Sequence, residues 1–537
     1  MVHLPRNKKV QLALFLLITA LLFFKLNRLP LKFEEPRRAL VSIEMITSGD
    51  YLIPTINGHV YHNKPPAYNW LLVFLFKTLG YQPWVVRLPT VLSLLAMAFT
   101  TFFFFRKRLG EEWALLTSLF LITSADLLFF FSFQGEIDLF YSLIVYWQLL
   151  VLIRFFEKEE PWPFFVFSYL LMTLGIFTKG LPSLAFQGIS ILILVVYSRR
   201  INWLFHPANW VGLTVAFVPL ILYFYAYSQT QDASLYLGRL LTESSRRTIE
   251  NSWITYMRHL VEFPLLVLKI TLPWSLLFIF SLKNKPLSII LGNKWLTYIA
   301  LVIGSNMLLY WLSPGTRERY LYMFLPLLLI FCAWAAFSET EKMKKVARIV
   351  LLFLHGLVAL VFLTLPFQSL FQIPYVHLVS ISVFGLLVVL AVKIWQQNLT
   401  PVFGLILLLL IIRLGFDLTI TEIRYQQDFK DQLSAKAKRL TEIAGQNELN
   451  YYVPFDTVKA ALPFSALELT YHEVERLPYA LSFHWTGLTQ KILRHQPTLE
   501  PGQLYIAQRK HLMGKEIEKL DEFSISKGRD YVVFRKL

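Results

Sequence analysis

The sequence predicts a mainly α-helical, polytopic transmembrane bundle with a small α/β domain at its C-terminal end. Three observations predict it. Hydrophobic residues make up 55% of the 537 residues and charged ones only 16%, less charge than a soluble chain of this size carries. Mean hydropathy is +0.51, and apolar runs long enough to cross a bilayer recur along most of the chain. Beyond about residue 419 the apolar runs shorten and charges become frequent.

The first element is a basic "RNKK" followed by "VQLALFLLITALLFF". No small-x-small cleavage site follows, so the segment reads as a retained first span. About thirteen candidate spans, each near the roughly 20 residues needed, follow the apolar pattern. They centre on 10–30, 84–106, 113–133, 138–157, 161–178, 182–199, 207–228, 260–282, 295–313, 318–338, 345–366, 373–394 and 400–418. "PAYNWLLVFLFKTLG" is apolar but short and reads as an interfacial helix. With the N-terminus inside, the inner loops include "FRKRLGEE", "YSRR" and "EKMKKVAR". The basic clusters thus obey the positive-inside rule. This gives a transmembrane domain over 1–418, with an outer loop at 31–83, and an outside domain over 419–537. In the latter, "DQLSAKAKRLTEIA" reads as an amphipathic helix and "NYYVPF", "LYIAQ" and "DYVVF" as strands. "KEIEKLDEF" reads as a helix between the last two.

The net charge of +17 would point to nucleic acid in a soluble chain. Here topology accounts for much of it, and no nucleic-acid partner is expected. The single cysteine, Cys332, lies in an apolar run, which excludes a disulfide framework or a Cys-based zinc site within one chain. The chain shows no internal repeat and no nucleotide-binding glycine pattern.

Four charged constellations fall on the outer side of this topology: Glu34 and Glu35 with Arg37 and Arg38; Glu136 and Asp138; Lys179; and Arg317 and Arg319 with Tyr320. Each alone has a bland reading, because loop ends are where charges belong, Lys179 can snorkel, and Arg317–Glu318 can be a solvated pair. Together on one face, charges at membrane depth mark a site or pathway. A sugar transfer there would need a donor carried across as a polyprenyl phosphate sugar. It would also need cations for the phosphate leaving group and a carboxylate for the acceptor. The same residues suit a proton-coupled lipid or polysaccharide transporter, and the residue types alone leave both open.

The ordered set of motifs narrows the choice. Glu34-Glu35-Pro36-Arg37-Arg38-Ala39 precedes "EMITSGDYLIPTINGHVYHNKPP", and "WVVRLP", the Asp138 loop, "TKGLP", the "LPW" at 272–274 and "RERYLYMFLP" follow. Over roughly residues 30–330 the chain resembles the GT-C class of membrane glycosyltransferases. The nearest branch is that of the lipid A aminoarabinose transferases, distant relatives of protein O-mannosyltransferases. The resemblance implies an inverting transfer from a polyprenyl-phosphate sugar to lipid A or another envelope glycolipid, with a protein acceptor as the alternative. It implies a multi-pass protein of the bacterial inner membrane with a periplasmic C-terminal domain. Glu34 stands in the first acidic position as the candidate catalytic carboxylate, and Asp138 matches the second outer acid. Lys64, Lys179 and Arg317 match phosphate-binding positions, and Glu35, Arg37, Arg319 and Tyr320 complete the substrate-binding set. Asn63 stands where such transferases tend to carry a metal-binding Glu, which weakens a divalent metal; His59, His62 and His259 are the candidates left to replace it.

Overall fold

The computed structural model describes residues 7–245, 253–282, 286–337, 341–367, 375–427, 430–454, 457, 476–526 and 529–537. Its helices begin with α1 (Lys8–Phe23), α2 (Glu35–Ser48), α3 (Ala67–Leu79), α4 (Pro83–Leu109), α5 (Glu111–Thr123), α6 (Ala125–Phe129) and α7 (Ile137–Glu157). There follow α8 (Pro161–Lys179), α9 (Pro182–Tyr197), α10 (Pro207–Ser228), α11 (Ala233–Ser245), α12 (Trp253–Ile270), α13 (Trp274–Phe280), α14 (Pro286–Gly292) and α15 (Lys294–Trp311). The last are α16 (Leu325–Phe337), α17 (Glu341–Thr364), α18 (Val376–Trp395), α19 (Pro401–Leu418), α20 (Ile420–Gln427), α21 (Lys430–Ala444) and α22 (Tyr479–Thr489). The starts of α4, α8, α9, α10 and α19 all fall on proline, whose missing N–H and fixed φ suit a first helical position.

By length and composition, seven helical segments among the described residues can cross a membrane, and nine if two bent pairs each count as one. The pairs are α5 with residues 125–133, bent by 46°, and α12 with α13, bent by 114°. The expected thirteen are therefore not reached. The apolar runs at 10–30 and 182–199 form helices of 16 residues, and that at 318–338 one of 13. At 1.5 Å per residue these reach about 20–24 Å, short of a hydrocarbon core of about 30 Å. Residues 373 and 374 of the expected span 373–394 lie outside the described residues.

The chain divides into two compact units. The first comprises 1–29, 87–220 and 241–427 and holds nearly all the long apolar helices. Its core is laced with hydroxyl and amide bonds that keep polar groups satisfied away from water. Thr101 Oγ1 donates to the Met97 carbonyl at 2.7 Å and meets the Tyr146 hydroxyl at 2.8 Å. Gln148 Nε2 donates to Gln187 Oε1 at 2.7 Å, and Gln187 Nε2 to Ser168 Oγ at 2.6 Å. Helices α8 and α9 approach closely at Gly175, where a Cβ would stand 2.2 Å from Ser183 Oγ.

The second unit comprises 30–86, 221–240 and 428–537. Composition divides the chain at 418/419; the contacts instead group the opening loop with the C-terminal residues. A two-stranded hairpin, β1 (Thr55–Ile56) and β2 (His59–Val60), follows α2. Strands β3 (Leu449–Tyr452), β4 (Arg494–Gln496), β5 (Leu504–Gln508), β6 (Ile517–Ser526) and β7 (Arg529–Lys536) form one sheet in the order β4-β3-β5-β7-β6. Pairs β3–β4 and β3–β5 are parallel, and β5–β7 and β6–β7 antiparallel. Alternate residues face two cores: Leu504 and Ile506 join Leu440, Tyr451 and Trp485, while Tyr505 and Ala507 join Tyr452 and Phe534. "KEIEKLDEF", expected as a helix, contributes most of its residues to β6. The apolar β7 presents a second edge, and pairing with it outweighs the helical propensity of the Glu and Lys residues.

Candidate active site

In the second unit the site begins at the N-terminus of α2. Pro36 sets the first turn, and Gly49 ends the helix with φ 74°, a left-handed conformation that favours glycine. Glu34 occupies the cap position with its side chain 37% exposed. One of its oxygens, Oε2, receives Arg37 Nη1 at 3.1 Å and Arg38 Nη2 at 3.5 Å. Glu35 is buried, and its Oε2 accepts from the Lys32 backbone N–H at 2.7 Å. The Arg37 guanidinium lies 5.4 Å from the Tyr479 ring centre. The acidic pair thus separates by environment: Glu35 fixes the chain entering the helix, and Glu34 stays accessible.

A third carboxylate on α2, Glu44, builds the turn that follows. It is fully buried and accepts from Asn57 N at 2.6 Å, Gly58 N at 3.1 Å and Thr55 Oγ1 at 2.9 Å. Asn57 and Gly58 have φ of 51° and 79°, the left-handed pair a tight Asn-Gly hairpin requires. Burial raises the Glu44 carboxyl to about 7, against the hydrogen bonds from Gly58, Thr55 and Asn57 and the charge of Arg494. The sequence motif from Glu44 to Asn57-Gly58 is therefore one structural device.

The chain next reaches His62-Asn63-Lys64, held by residues absent from the sequence-based set. Tyr227 meets His62 Nε2 at 3.0 Å, Arg239 Nε donates to Asn63 Oδ1 at 3.2 Å, and the Tyr236 hydroxyl donates to the Lys64 carbonyl at 3.1 Å. Burial, then the Arg239 charge, lowers the His62 pKa, so the ring is neutral at pH 7. Pro65 and Pro66 are buried and lead directly into α3.

The metal candidates do not assemble. Among the described residues no group of three or more His, Cys, Asp or Glu side chains could hold a metal ion. His59 meets His495 edge-on at 6.1 Å, whereas His62 bonds Tyr227. His259 places Nε2 3.1 Å from the Tyr310 carbonyl.

In the first unit the second group of charges is built from α7, α8 and residues 318–320. Asp138 lies in the first turn of α7 and Lys179 ends α8, the ends at which a helix dipole favours each charge. Lys179 Nζ donates to Asp138 Oδ1 at 2.5 Å and lies 4.5 Å and 5.0 Å from the Tyr320 and Tyr141 ring centres. Arg319 donates to Glu136 Oε2, and its Nε lies 3.7 Å from Asp138 Oδ2. Two buried carboxylates are thus matched by two cations. Arg317 is exposed and outside this cluster, and Glu318 accepts from Lys269 at 2.7 Å.

Beneath the loop that carries Glu136 sits a pair the sequence-based set omits. Arg413 and Asp417 are fully buried in α19 and paired at 2.9 Å. Arg413 also donates to the Leu128 carbonyl and, at 2.7 Å, to Ser132 Oγ, and packs 3.8 Å from the Phe133 ring centre. It secures the end of α6 ahead of Glu136. A charged i, i+4 pair inside "LILLLLIIRLGFDL" was a legible signal.

Residues 63–224 match the family model for dolichyl-phosphate-mannose-protein mannosyltransferases. The chain is 22% identical over 414 residues to an uncharacterized protein of Aquifex aeolicus (strain VF5), covering 76% of this chain and 77% of that one. It is 26% identical over 227 residues to the undecaprenyl phosphate-alpha-4-amino-4-deoxy-L-arabinose arabinosyl transferase of Shewanella sediminis (strain HAW-EB3), 40% of each chain. Its fold matches the crystal structure of ArnT from Cupriavidus metallidurans bound to undecaprenyl phosphate, with a TM-score of 0.62, 17% identity and 99% of each chain covered. The chain thus has the ArnT fold, and these likenesses to GT-C membrane glycosyltransferases support a multi-pass glycosyltransferase similar to ArnT.

Proposed function

We propose that the protein transfers a sugar from undecaprenyl phosphate to a lipid acceptor, with lipid A favoured, at the outer face of the bacterial inner membrane. The observation that carries this reading is the state of the carboxylates. Asp138 and Glu136 are buried and ion-paired, whereas Glu34, though it meets Arg37 and Arg38, is 37% exposed at a helix N-terminus. In this reading Glu34 takes the proton from the acceptor hydroxyl. The acceptor oxygen bonds to the anomeric carbon, the bond from that carbon to the phosphate oxygen breaks, and undecaprenyl phosphate leaves as an anion. Lys64 receives that anion; in the first unit Arg317 is a separate phosphate candidate, and Lys179, Arg319 and Tyr320 hold Asp138 in place. The C-terminal residues lie on the periplasmic side. The ArnT–undecaprenyl phosphate likeness and the names of the matched transferases support the donor.

The family model for mannosyl transfer to protein gives a second reading, a protein acceptor. One experiment separates them. Purified protein is given a radiolabelled undecaprenyl-phosphate sugar with lipid A, or with peptides rich in Ser and Thr. Label in lipid A supports the proposal; label in peptide alone replaces the acceptor; no transfer to either overturns both.

A further inference from the structure

Arg38, in the first turns of α2, is 3% exposed. A guanidinium carries five N–H donors and cannot shed its charge, so burial obliges it to find acceptors. Among the described residues its one carboxylate contact is Glu34 Oε2 at 3.5 Å, and that oxygen lies closer, 3.1 Å, to Arg37. Both Nε and Nη1 are buried without a hydrogen-bond partner among the described residues. Tyr61 offers only a ring face, 5.4 Å away. On α3, which packs against α2, Asn69 is 1% exposed and both its amide atoms likewise have no partner. Buried charges left this poorly paired are rare in proteins unless a ligand completes them.

We propose that Arg38 is a substrate-binding residue that receives an anionic oxygen group, a phosphate or a carboxylate, when substrate is bound. The proposal rests on the glycosyltransfer reading and deepens it. Of two substrates alike in shape, the site favours the one presenting an anion here over one presenting an ammonium, because like charges in a desolvated setting repel strongly. The anion comes from the donor's phosphate or from the acceptor.

The test uses the full chain in detergent and its Arg38→Met and Arg38→Lys variants. Removing a poorly paired buried charge should leave the melting temperature unchanged or higher in Arg38→Met, as at sites where function is kept at the expense of stability. Turnover should fall about tenfold or more, the loss of one charged hydrogen bond, with partial recovery in Arg38→Lys. Weaker binding of undecaprenyl phosphate by Arg38→Met assigns the anion to the donor. Unchanged lipid binding with a raised KM for the acceptor assigns it to the acceptor. A lowered melting temperature, with activity lost only in step with the folded fraction, overturns the proposal. A readout without turnover separates it from the transfer reading. Inorganic phosphate should raise the melting temperature of the wild type above that in chloride at equal ionic strength, and Arg38→Met should abolish the difference. An equal phosphate effect in Arg38→Met overturns the role of Arg38. A wild type that keeps the phosphate effect but transfers no sugar overturns the transfer reading instead.

Discussion

The two charged groups differ in how their carboxylates are held. Around Asp138, each acid is buried and faces its own cation: Lys179 at 2.5 Å on Asp138, and Arg319 on Glu136. At the start of α2, Glu34 is 37% exposed, and a single oxygen answers two guanidiniums. A buried, matched pair is locked, since moving either partner strands the other. A partly exposed carboxylate can still exchange a proton. The contrast teaches that the number of charges in a group says little; the exposure of each acid separates a locked carboxylate from an accessible one, the frame and the reagent of the proposed function.

Mutations can break this contrast, and the largest effect is expected at the reagent. Glu34→Gln should insert and fold normally, because the residue is exposed at a helix start, yet turnover should fall about 10²–10⁴-fold. The check is sugar transfer at matched expression. Full turnover in Glu34→Gln would move the base elsewhere and dissolve the distinction.

At the frame the loss should be structural. Asp138→Asn leaves the largely enclosed Lys179 against a neutral partner, which costs up to about 3–5 kcal/mol. The expected outcome is a lower melting temperature and less protein in the membrane. A stable Asp138→Asn with selective loss of turnover would make Asp138 a reagent too.

Glu44 gives a pH-dependent effect of intermediate size. Its folded pKa is raised from 4.5 to about 7, so the folded chain keeps a proton that the unfolded chain releases. Stability therefore declines as pH rises from about 4.5 to 7, by about 3 kcal/mol in all, and is flat above that window. The contribution of this one group is read by comparing thermal midpoints at pH 5 and pH 8 in wild type and Glu44→Gln, whose difference should shrink. Identical pH slopes in the two proteins would show that the buried carboxyl does not titrate in this range.

The smallest effect concerns the two arginines. Arg317 is exposed, so Arg317→Ala should leave the melting temperature unchanged and weaken binding of undecaprenyl phosphate by about 1 kcal/mol, roughly fivefold. Arg319→Ala should instead lower stability by stranding Glu136. Equal stability of the two variants would show that the Arg319 contacts carry no weight.

Local signals in the sequence located the helix after Pro65-Pro66, read from "PAYNWLLVFLFKTLG", because it rests on residues within a few positions of one another. What was not legible depends on distant partners. Asp138 and Lys179 meet across 41 positions and Arg319 and Glu136 across 183. Spacing therefore could not choose Arg319 over Arg317 as the cation in the cluster. Tyr227, Tyr236 and Arg239 sit in segments with no motif, and only folding brings them to His62-Asn63-Lys64. The β6 error has the same origin, since its partner strand decides its conformation. The thirteen spans are not confirmed among the described residues for a different reason: composition marks apolar stretches well but does not see the turns at 318–324 that shorten a helix to 13 residues.

The Asn-Gly hairpin is tied at both ends. Glu44 holds its backbone from α2, while Asn57 Nδ2 donates to Ser482 Oγ at 3.0 Å and to the Leu493 carbonyl at 2.9 Å. The His495 N–H returns a bond to the Asn57 carbonyl at 3.2 Å. In mechanical terms, α2 and the C-terminal sheet form a single lever with no slack at this joint. Moving the hairpin away from the sheet would break these bonds. A chain cut after Gln427 would keep every residue assigned to the chemistry and lose the stiffness that aims them.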